Sequence, residues 1–169
     1  RYTEAAALCG QLIKDNPEDA TLWRLQAQAY LAREKPMKAA QNYEYLRVLG
    51  DADADSLNSL GDIYLKQEMA DAAVSAYLEA LETDEKAPPD DYIMKAKILA
   101  ARNAGDEAQR LLRKIMQLHE TALTDAQRKE LLRIRARLAA AEGADDEQGR
   151  LLQEIVDIDP TDGQAIIAL

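Results

Sequence analysis

Four aspartates form the most suggestive pattern of metal-ligating residues in this sequence of 169 residues. Asp51, Asp53, Asp55 and Asp62 place carboxylates at the first, third, fifth and twelfth positions of a calcium-binding loop. The sixth position is Ser56, where the sharp turn of such a loop needs glycine, and the twelfth lacks the bidentate glutamate. We therefore interpret the segment as an acidic linker that leads into a helix start, where carboxylates are favourable, and we assign no metal.

Histidine and cysteine, the other residues with reactive side chains, occur only once each in the sequence. His119 is the one histidine, which excludes multi-histidine metal sites, and we expect it to act as a cation near a helix C-terminus. Cys9 is the one cysteine, which excludes an internal disulfide, and we expect it to be buried. Glycine-rich phosphate loops are absent, and no nucleophile has a suitable base beside it. The sequence predicts no catalytic residue, no cofactor and no enzyme activity.

The charge balance narrows the classes of partner. The chain carries 21 basic and 31 acidic residues, a net charge of -10, which argues against binding to nucleic acid or to an anionic membrane surface. No apolar run is long enough to cross a membrane, so we expect no membrane insertion. Neither feature distinguishes a cytoplasmic from a periplasmic protein.

A three-residue pattern recurs along the chain, and few glycines and prolines interrupt it. A small residue is followed 12 positions later by alanine and after four more by a ring or a leucine. Copies begin at Ala27, Gly61, Ala96 and Ala136, and the last of these has Gln148 in place of the alanine. The complete sets are Ala27, Ala39 and Tyr43; Gly61, Ala73 and Tyr77; Ala96, Ala108 and Leu112; and Ala136, Gln148 and Leu152.

This spacing indicates two antiparallel helices in each unit. The small residue and the alanine would lie where the two backbones approach most closely, and the ring or leucine would fill the gap one turn later. Helix-breaking segments fall between the two helices, at Glu34-Lys35-Pro36, Gln67-Glu68-Met69, Ala104-Gly105-Asp106 and Glu142-Gly143-Ala144. Prolines mark the joints between units, at Asn16-Pro17, Ala87-Pro88-Pro89 and Asp159-Pro160.

The residues at the packing positions carry a family resemblance. They are Trp23, Ala27, Tyr30, Ala39, Tyr43 and Leu46; Leu57, Leu60, Gly61, Tyr64, Ala73, Tyr77 and Ala80; Tyr92, Ala96, Leu99, Ala108, Leu112 and Ile115; and Leu132, Ala136, Ala139, Leu152, Ile155 and Pro160. Their order and spacing resemble the tetratricopeptide repeat, a helix–turn–helix unit of 34 residues. We expect Trp23 and the tyrosines at 30, 43, 64 and 77 to form core rather than a platform for stacking bases.

The resemblance implies an all-α fold, a right-handed α-solenoid of about four helix pairs with a half-repeat at each end. We expect a single repeat domain over residues 1–169. Its parts are a half-repeat at 1–19, repeats at 20–53, 54–88 and 89–122, a degenerate repeat at 123–160 and the start of a further helix at 161–169. About five extra residues around 120–125 predict a longer connection there.

The same resemblance implies a concave groove lined by the first helix of each pair, where partner segments bind. The groove positions are Arg24, Gln28, Asn58, Asp62, Lys66, Lys97, Arg133 and Arg137. Residues 86–137 carry a net charge of +5 between two acidic segments, which suggests that Lys97, Arg133 and Arg137 attract an acidic segment or a C-terminal carboxylate. The alternative is a solvated helix face that pairs with nearby carboxylates.

One known arrangement of this family is not supported. Members that hold chaperone tails use Lys, Asn and Arg at particular groove positions; Arg24 and Gln28 loosely match the first part, but Ser59, Asp90 and Met94 occupy the later positions.

Two functional hypotheses remain, and both involve protein partners. The first is a protein–protein interaction module or scaffold that binds a protein or peptide segment in the groove. The second is an architectural segment that packs on further repeats or forms a weak homo-oligomer. RNA binding, a third class, is disfavoured by the acidic balance.

Overall fold

The computed structural model describes all 169 residues and consists of ten α-helices joined by short turns, with no β-strand. The helices are α1 (Tyr2–Asp15), α2 (Ala20–Leu31), α3 (Pro36–Leu49), α4 (Ala54–Lys66), α5 (Ala70–Thr83), α6 (Pro89–Ala101), α7 (Gly105–His119), α8 (Asp125–Glu142), α9 (Asp145–Ile158) and α10 (Gly163–Ala168). No helix is both long and apolar enough to cross a membrane.

The helices form two compact units, Arg1–Lys86 and Ala87–Leu169. In the first unit α2 pairs with α3 and α4 with α5, while α1 packs on α2 and α3 packs on α4. In the second unit α6 pairs with α7 and α8 with α9, α6 packs on α8, and α10 packs on α9. Each unit is thus a succession of helix pairs, the architecture of an α-solenoid. We call α2, α4, α6 and α8 the first helices of their pairs.

Side chains at the helix starts satisfy free backbone N–H groups. The Asp19 carboxylate accepts a hydrogen bond from the Thr21 N–H at 2.9 Å. At the start of α8, Thr124 and Gln127 each accept a hydrogen bond from the other's backbone N–H, which forms a capping box. Side chains cap the starts of α2, α4, α8 and α10 in this way, while the other helices begin without a side-chain cap hydrogen bond.

Four equivalent turns join the two helices of each pair. In each turn one residue has a left-handed backbone with φ between 55° and 72°, and these residues are Glu34, Glu68, Asn103 and Gly143. The N–H of the next residue donates to a carbonyl five residues before it, as Met69 does to Tyr64 at 2.9 Å. The four residues are 34, 35 and 40 positions apart, the same intervals as in the sequence repeat.

The helices α4 and α5 touch closely at Gly61. The ring of Tyr77 covers Gly61 so tightly that a Cβ atom added there would lie 2.3 Å from the ring carbon Cε1. Both Ala73 and Tyr77 are fully buried. The predicted arrangement, in which the ring fills the gap beside a small residue, is confirmed here.

A buried amide pair ties α1, α2 and α3 together. The Gln26 Nε2 donates to the Ala6 carbonyl at 2.9 Å, and the Asn42 Nδ2 donates to Gln26 Oε1 at 2.9 Å. A Cβ atom at Gly10 would lie 2.9 Å from Gln26 Nε2, so the absence of a side chain there leaves room for the amide. Because these buried polar groups are satisfied by one another, their desolvation cost is offset.

A second polar cluster links α3, α4 and α5. Arg47 donates to Glu79 at 2.7 Å through Nε, and its Nη2 donates to the Ser75 hydroxyl at 2.7 Å. The Tyr64 hydroxyl donates to Glu44 at 2.7 Å, and Glu44 also accepts from Arg47. Burial, together with the negative charge and hydrogen bond of Glu44, raises the pKa of Tyr64 to about 12.

The structure shows how far three predictions about the burial and position of individual side chains hold. Cys9 is buried, as predicted. His119 is the last residue of α7, so the predicted position at a helix C-terminus is confirmed, while its side chain is buried and its Nε2 has no hydrogen-bond partner. Trp23 and Tyr30 are half-buried, unlike the three buried tyrosines of the repeat. Trp23 instead stacks on Tyr45 with ring centroids 4.2 Å apart.

Replacing Gly61 by alanine tests the close approach of α4 and α5. We expect Gly61→Ala to lower the free energy of unfolding by about 2–3 kcal/mol, because the new methyl group must displace the Tyr77 ring. The matched control is Gly149→Ala in α9, where a Cβ atom would meet nothing within 4 Å. It should raise the stability by about 0.5–1 kcal/mol through helix propensity alone. Urea unfolding measures both, and equal effects would contradict the packing described here.

Ultraviolet titration of the folded protein tests the environment of Tyr64. The wild type should contain a phenol that ionises at about pH 12 and that is missing from the Tyr64→Phe variant. A phenol in the unfolded chain ionises with a pKa of about 10. Because Tyr64 keeps its proton in the folded protein up to about pH 12, the folding stability falls as the pH rises from about 10 to about 12. If the difference between the wild-type and Tyr64→Phe titrations instead shows a pKa of about 10, the hydrogen bond from the Tyr64 hydroxyl to Glu44 is contradicted.

Candidate functional site

In the first unit, Arg24 is anchored to the start of the following first helix. Its Nε lies 3.1 Å from the Asp53 carboxylate and donates to the Ser56 hydroxyl at 3.4 Å. Asp53 is the N-cap of α4, since it accepts from the Ser56 N–H at 2.8 Å. Partial burial opposes ionisation of Asp53, but the hydrogen bonds of Ser56 and the charge of Arg24 outweigh it and lower the pKa of the carboxyl.

This geometry also accounts for the acidic segment that resembles a calcium loop. The helix α4 begins at Ala54, so Asp55 and Asp62 belong to a helix and not to a loop. The Asp62 carboxylate accepts a hydrogen bond from the Tyr77 hydroxyl at 2.8 Å. The interpretation of the segment as a linker and helix start is confirmed.

The other predicted groove residues of this unit differ in whether their side chains already interact with the rest of the protein. Asn58 is half-buried and interacts with other groups of the protein. The side chains of Gln28 and Lys66 are exposed and form no hydrogen bond or ion pair within the protein. The first unit therefore offers a polar groove surface in which Arg24 and Asp62 are already engaged and Gln28 and Lys66 are available.

In the second unit a groove of about 470 Å³ lies between the first helices α6 and α8. Two polar contacts cross it. The Gln127 Nε2 donates to the Asp90 carboxylate at 2.8 Å, and the Lys97 ammonium lies 2.6 Å from Glu130. Between them lies Met94, whose side chain is 55% exposed. The groove therefore has an exposed apolar centre between polar contacts that are satisfied within the protein.

Three basic residues follow one another at four-residue intervals along α8 and differ in their partners. Lys129 lies 2.5 Å from Asp159, and Arg133 is paired with the buried Asp162. The hydrogen bond from Lys129, supported by those from Thr161, lowers the pKa of Asp159 to about 2. The Arg137 side chain is exposed and has no ion pair or hydrogen bond within the protein.

A second cavity, of about 180 Å³, lies beside Arg137 between α8, α9 and α10. Its walls are mainly apolar. The lining residues are Arg133, Ala136, Arg137, Ala140, Gln148, Leu152, Ile155, Gln164, Ala165 and Ala168. A free guanidinium at an apolar cavity is a combination that suits a ligand carrying both a carboxylate and an aliphatic group.

The opposite face of this unit also has cavities, and sequence analysis did not predict them. One of about 330 Å³ lies between α7 and α8 and is lined by Arg113, Met116 and Arg135 among others. A smaller one, of about 150 Å³, shares Met116. Arg135 is paired with Glu147 at 3.1 Å, while Arg113 is exposed and without an ion pair.

The structure thus distributes the eight predicted groove residues between the two units. Lys97 and Arg133 come together at Glu130, which lies 2.6 Å from Lys97 and 3.9 Å from Arg133. The sequence pattern pointed to Met94 only as a departure from a known arrangement and did not point to Glu130. The available signal was the spacing, because Lys97 and Glu130 have opposite charges 33 residues apart, about one repeat.

Comparisons with known proteins agree with this architecture. A sequence profile described as a tetratricopeptide repeat matches residues 1–43 and 24–91, which together make up more than half of the chain. A search of curated protein sequences finds no significant match.

Solved structures with the same fold have little sequence in common with the chain. The structure of YrrB, described as a TPR protein with an unusual peptide-binding site, has a TM-score of 0.61 and 18% identity, and the match covers 99% of this chain and 82% of YrrB. Two structures of MamA have TM-scores of 0.59 and 0.60 at 14% identity, and they cover 96% of this chain and 91% and 85% of MamA. With the repeated helix pairs and the profile match over more than half of its length, the chain belongs to the tetratricopeptide repeat family.

Proposed function

We propose that the chain is a protein–protein interaction module that holds a partner segment against the first helices of its repeats. Tetratricopeptide repeat proteins are generally non-enzymatic interaction modules, and this family membership supports the class of function. The finer proposal is that the partner segment lies in the groove between α6 and α8, which Lys97 lines, and continues along α8 past Arg133 and Arg137. The polar surface at Gln28 and Lys66 would provide a further contact area in the first unit.

The exposure of Met94 is the observation that carries this proposal. A methionine on a helix could pack against its own protein, yet this side chain remains 55% exposed at the centre of a groove. Its thioether is flexible and adapts to irregular apolar surfaces, as is common at binding sites. Because Asp90 and Lys97 are satisfied by Gln127 and Glu130, a partner can gain free energy here by burying an apolar side chain on Met94.

A peptide is a suitable first class of ligand to test. YrrB, which shares the fold, is a TPR protein with an unusual peptide-binding site. The preformed groove would lose little conformational entropy on binding, so the cost of ordering falls mainly on the peptide.

Exposed apolar side chains support the architectural role as a second candidate. Leu8 and Leu12 are exposed one turn apart on α1, and Ile166 and Ile167 are exposed on α10. Such surfaces favour packing against further helices or against another copy of the chain.

Peptides selected from a random display library would test the proposed groove. We expect selection to recover a family of sequences with a shared apolar residue. Met94→Glu should weaken binding of the corresponding fluorescent peptide by at least about tenfold, because the new charge must be desolvated in the groove. Fluorescence anisotropy measures the dissociation constant.

The matched control is Met37→Glu, the same substitution at another exposed methionine, on α3. It should leave the affinity within about twofold, well under 1 kcal/mol. Equal losses in both variants, or failure to recover any sequence family, would contradict the proposed groove. Sedimentation velocity on the same samples would support the architectural role if the mass rises with concentration.

A further inference from the structure

The series of ion pairs along α8 stops at Arg137. Lys129 and Arg133, at the two preceding levels of the helix, each face a carboxylate that precedes α10, Asp159 and Asp162 respectively. At the level of Arg137 the facing residues on α10 are uncharged, namely Gln164, Ala165 and Ala168. One level of the series is therefore without its anion.

The surroundings of Arg137 indicate which chemical group should accompany an anion that binds there. The adjacent cavity, of about 180 Å³, has room for an aliphatic side chain, and its lining includes the apolar Ala136, Ala140 and Leu152 beside Gln148 and Gln164. Aliphatic walls of this kind favour an apolar group, while the guanidinium at the edge forms strong hydrogen bonds with a carboxylate. The two features together require an anionic and an aliphatic group close to each other.

We propose that Arg137 binds an aspartate or glutamate side chain of the partner segment and that an adjacent aliphatic residue of the same segment fills the cavity. This inference rests on the proposed function and specifies the chemistry of the partner. A side-chain carboxylate is favoured over a chain terminus because Asp159 and Asp162 already satisfy Lys129 and Arg133 in this way, each from within a continuous backbone.

Other anions fit the site less well. Nucleic acid or a polyphosphate needs several free cations in a row, and Lys129 and Arg133 are already neutralised. The apolar walls would also remain uncovered by a phosphate group. The single free charge therefore suits a single carboxylate.

Selection from the display library tests this inference separately from the groove itself. Displayed segments are internal, so no free carboxyl terminus takes part. The wild type should enrich sequences in which an acidic residue lies beside leucine, isoleucine or valine. The Arg137→Gln variant should still enrich apolar sequences through Met94 but lose the preference for the acidic residue.

Synthetic peptides with acetylated and amidated ends are used to measure how much the acidic residue contributes to the binding affinity. Replacing the selected glutamate by glutamine should weaken binding to the wild type by about tenfold, the effect of one charge-assisted hydrogen bond, and should have little effect on binding to Arg137→Gln. Arg137→Lys should retain part of the preference, since it keeps the charge. The control is Arg113→Gln, which removes another exposed and unpaired arginine, on α7, and should behave as the wild type.

The outcomes separate the two proposals. Enrichment of apolar sequences without an acidic residue, or an acidic preference that survives in Arg137→Gln or is lost equally in Arg113→Gln, would overturn this inference and leave the groove proposal standing. A preference that appears only when the peptide has a free carboxyl terminus would assign the site to a chain end instead. Failure to enrich any sequence would overturn both proposals.

Discussion

The close approach of paired helices is the constraint on which the rest of the structure depends. At Gly61 the Tyr77 ring occupies the space that any side chain would need, so α4 and α5 are fixed at one distance and one register. Once the two helices of a pair are locked in this way, each first helix presents a defined face away from its partner. Ala96 and Ala108, the equivalent small residues of α6 and α7, are likewise fully buried.

Charges are distributed on this framework so that neighbouring helices of a unit neutralise one another. Lys97 reaches Glu130 and Arg133 reaches Asp162, in each case about one repeat along the chain. Partly exposed pairs of this kind contribute little stability, but they decide which charges remain for a partner. Among the side chains left without a partner on the first helices of the second unit are Met94 and Arg137, one apolar and one cationic, on the neighbouring helices α6 and α8. These two side chains, rather than the net positive charge of residues 86–137, define the chemistry of the proposed partner.

Much of the fold could be predicted from the sequence because its determinants are local. Turn residues such as Gly143 and the spacing of Gly61 and Tyr77 fix where helices end and how pairs meet. The pairing of Lys97 and Arg133 was harder to predict, since their carboxylate partners lie 33 and 29 positions away and only the folded chain brings them near. The burial of His119 was missed for the same reason: its position at a helix end is local, but the packing around it is not. The groove residues themselves stay predictions until a ligand is bound.

Nuclear magnetic resonance with a selected peptide tests the central claim most directly. On addition of the peptide to isotopically labelled protein, the account predicts that the largest amide shifts lie along α6, α8 and α10, around Met94 and Arg137. Residues around Arg113 and Met116, which line the cavity between α7 and α8, should change little. Largest shifts around Arg113 and Met116, with the groove residues unchanged, would contradict the account and place the binding site on the opposite face of the repeats.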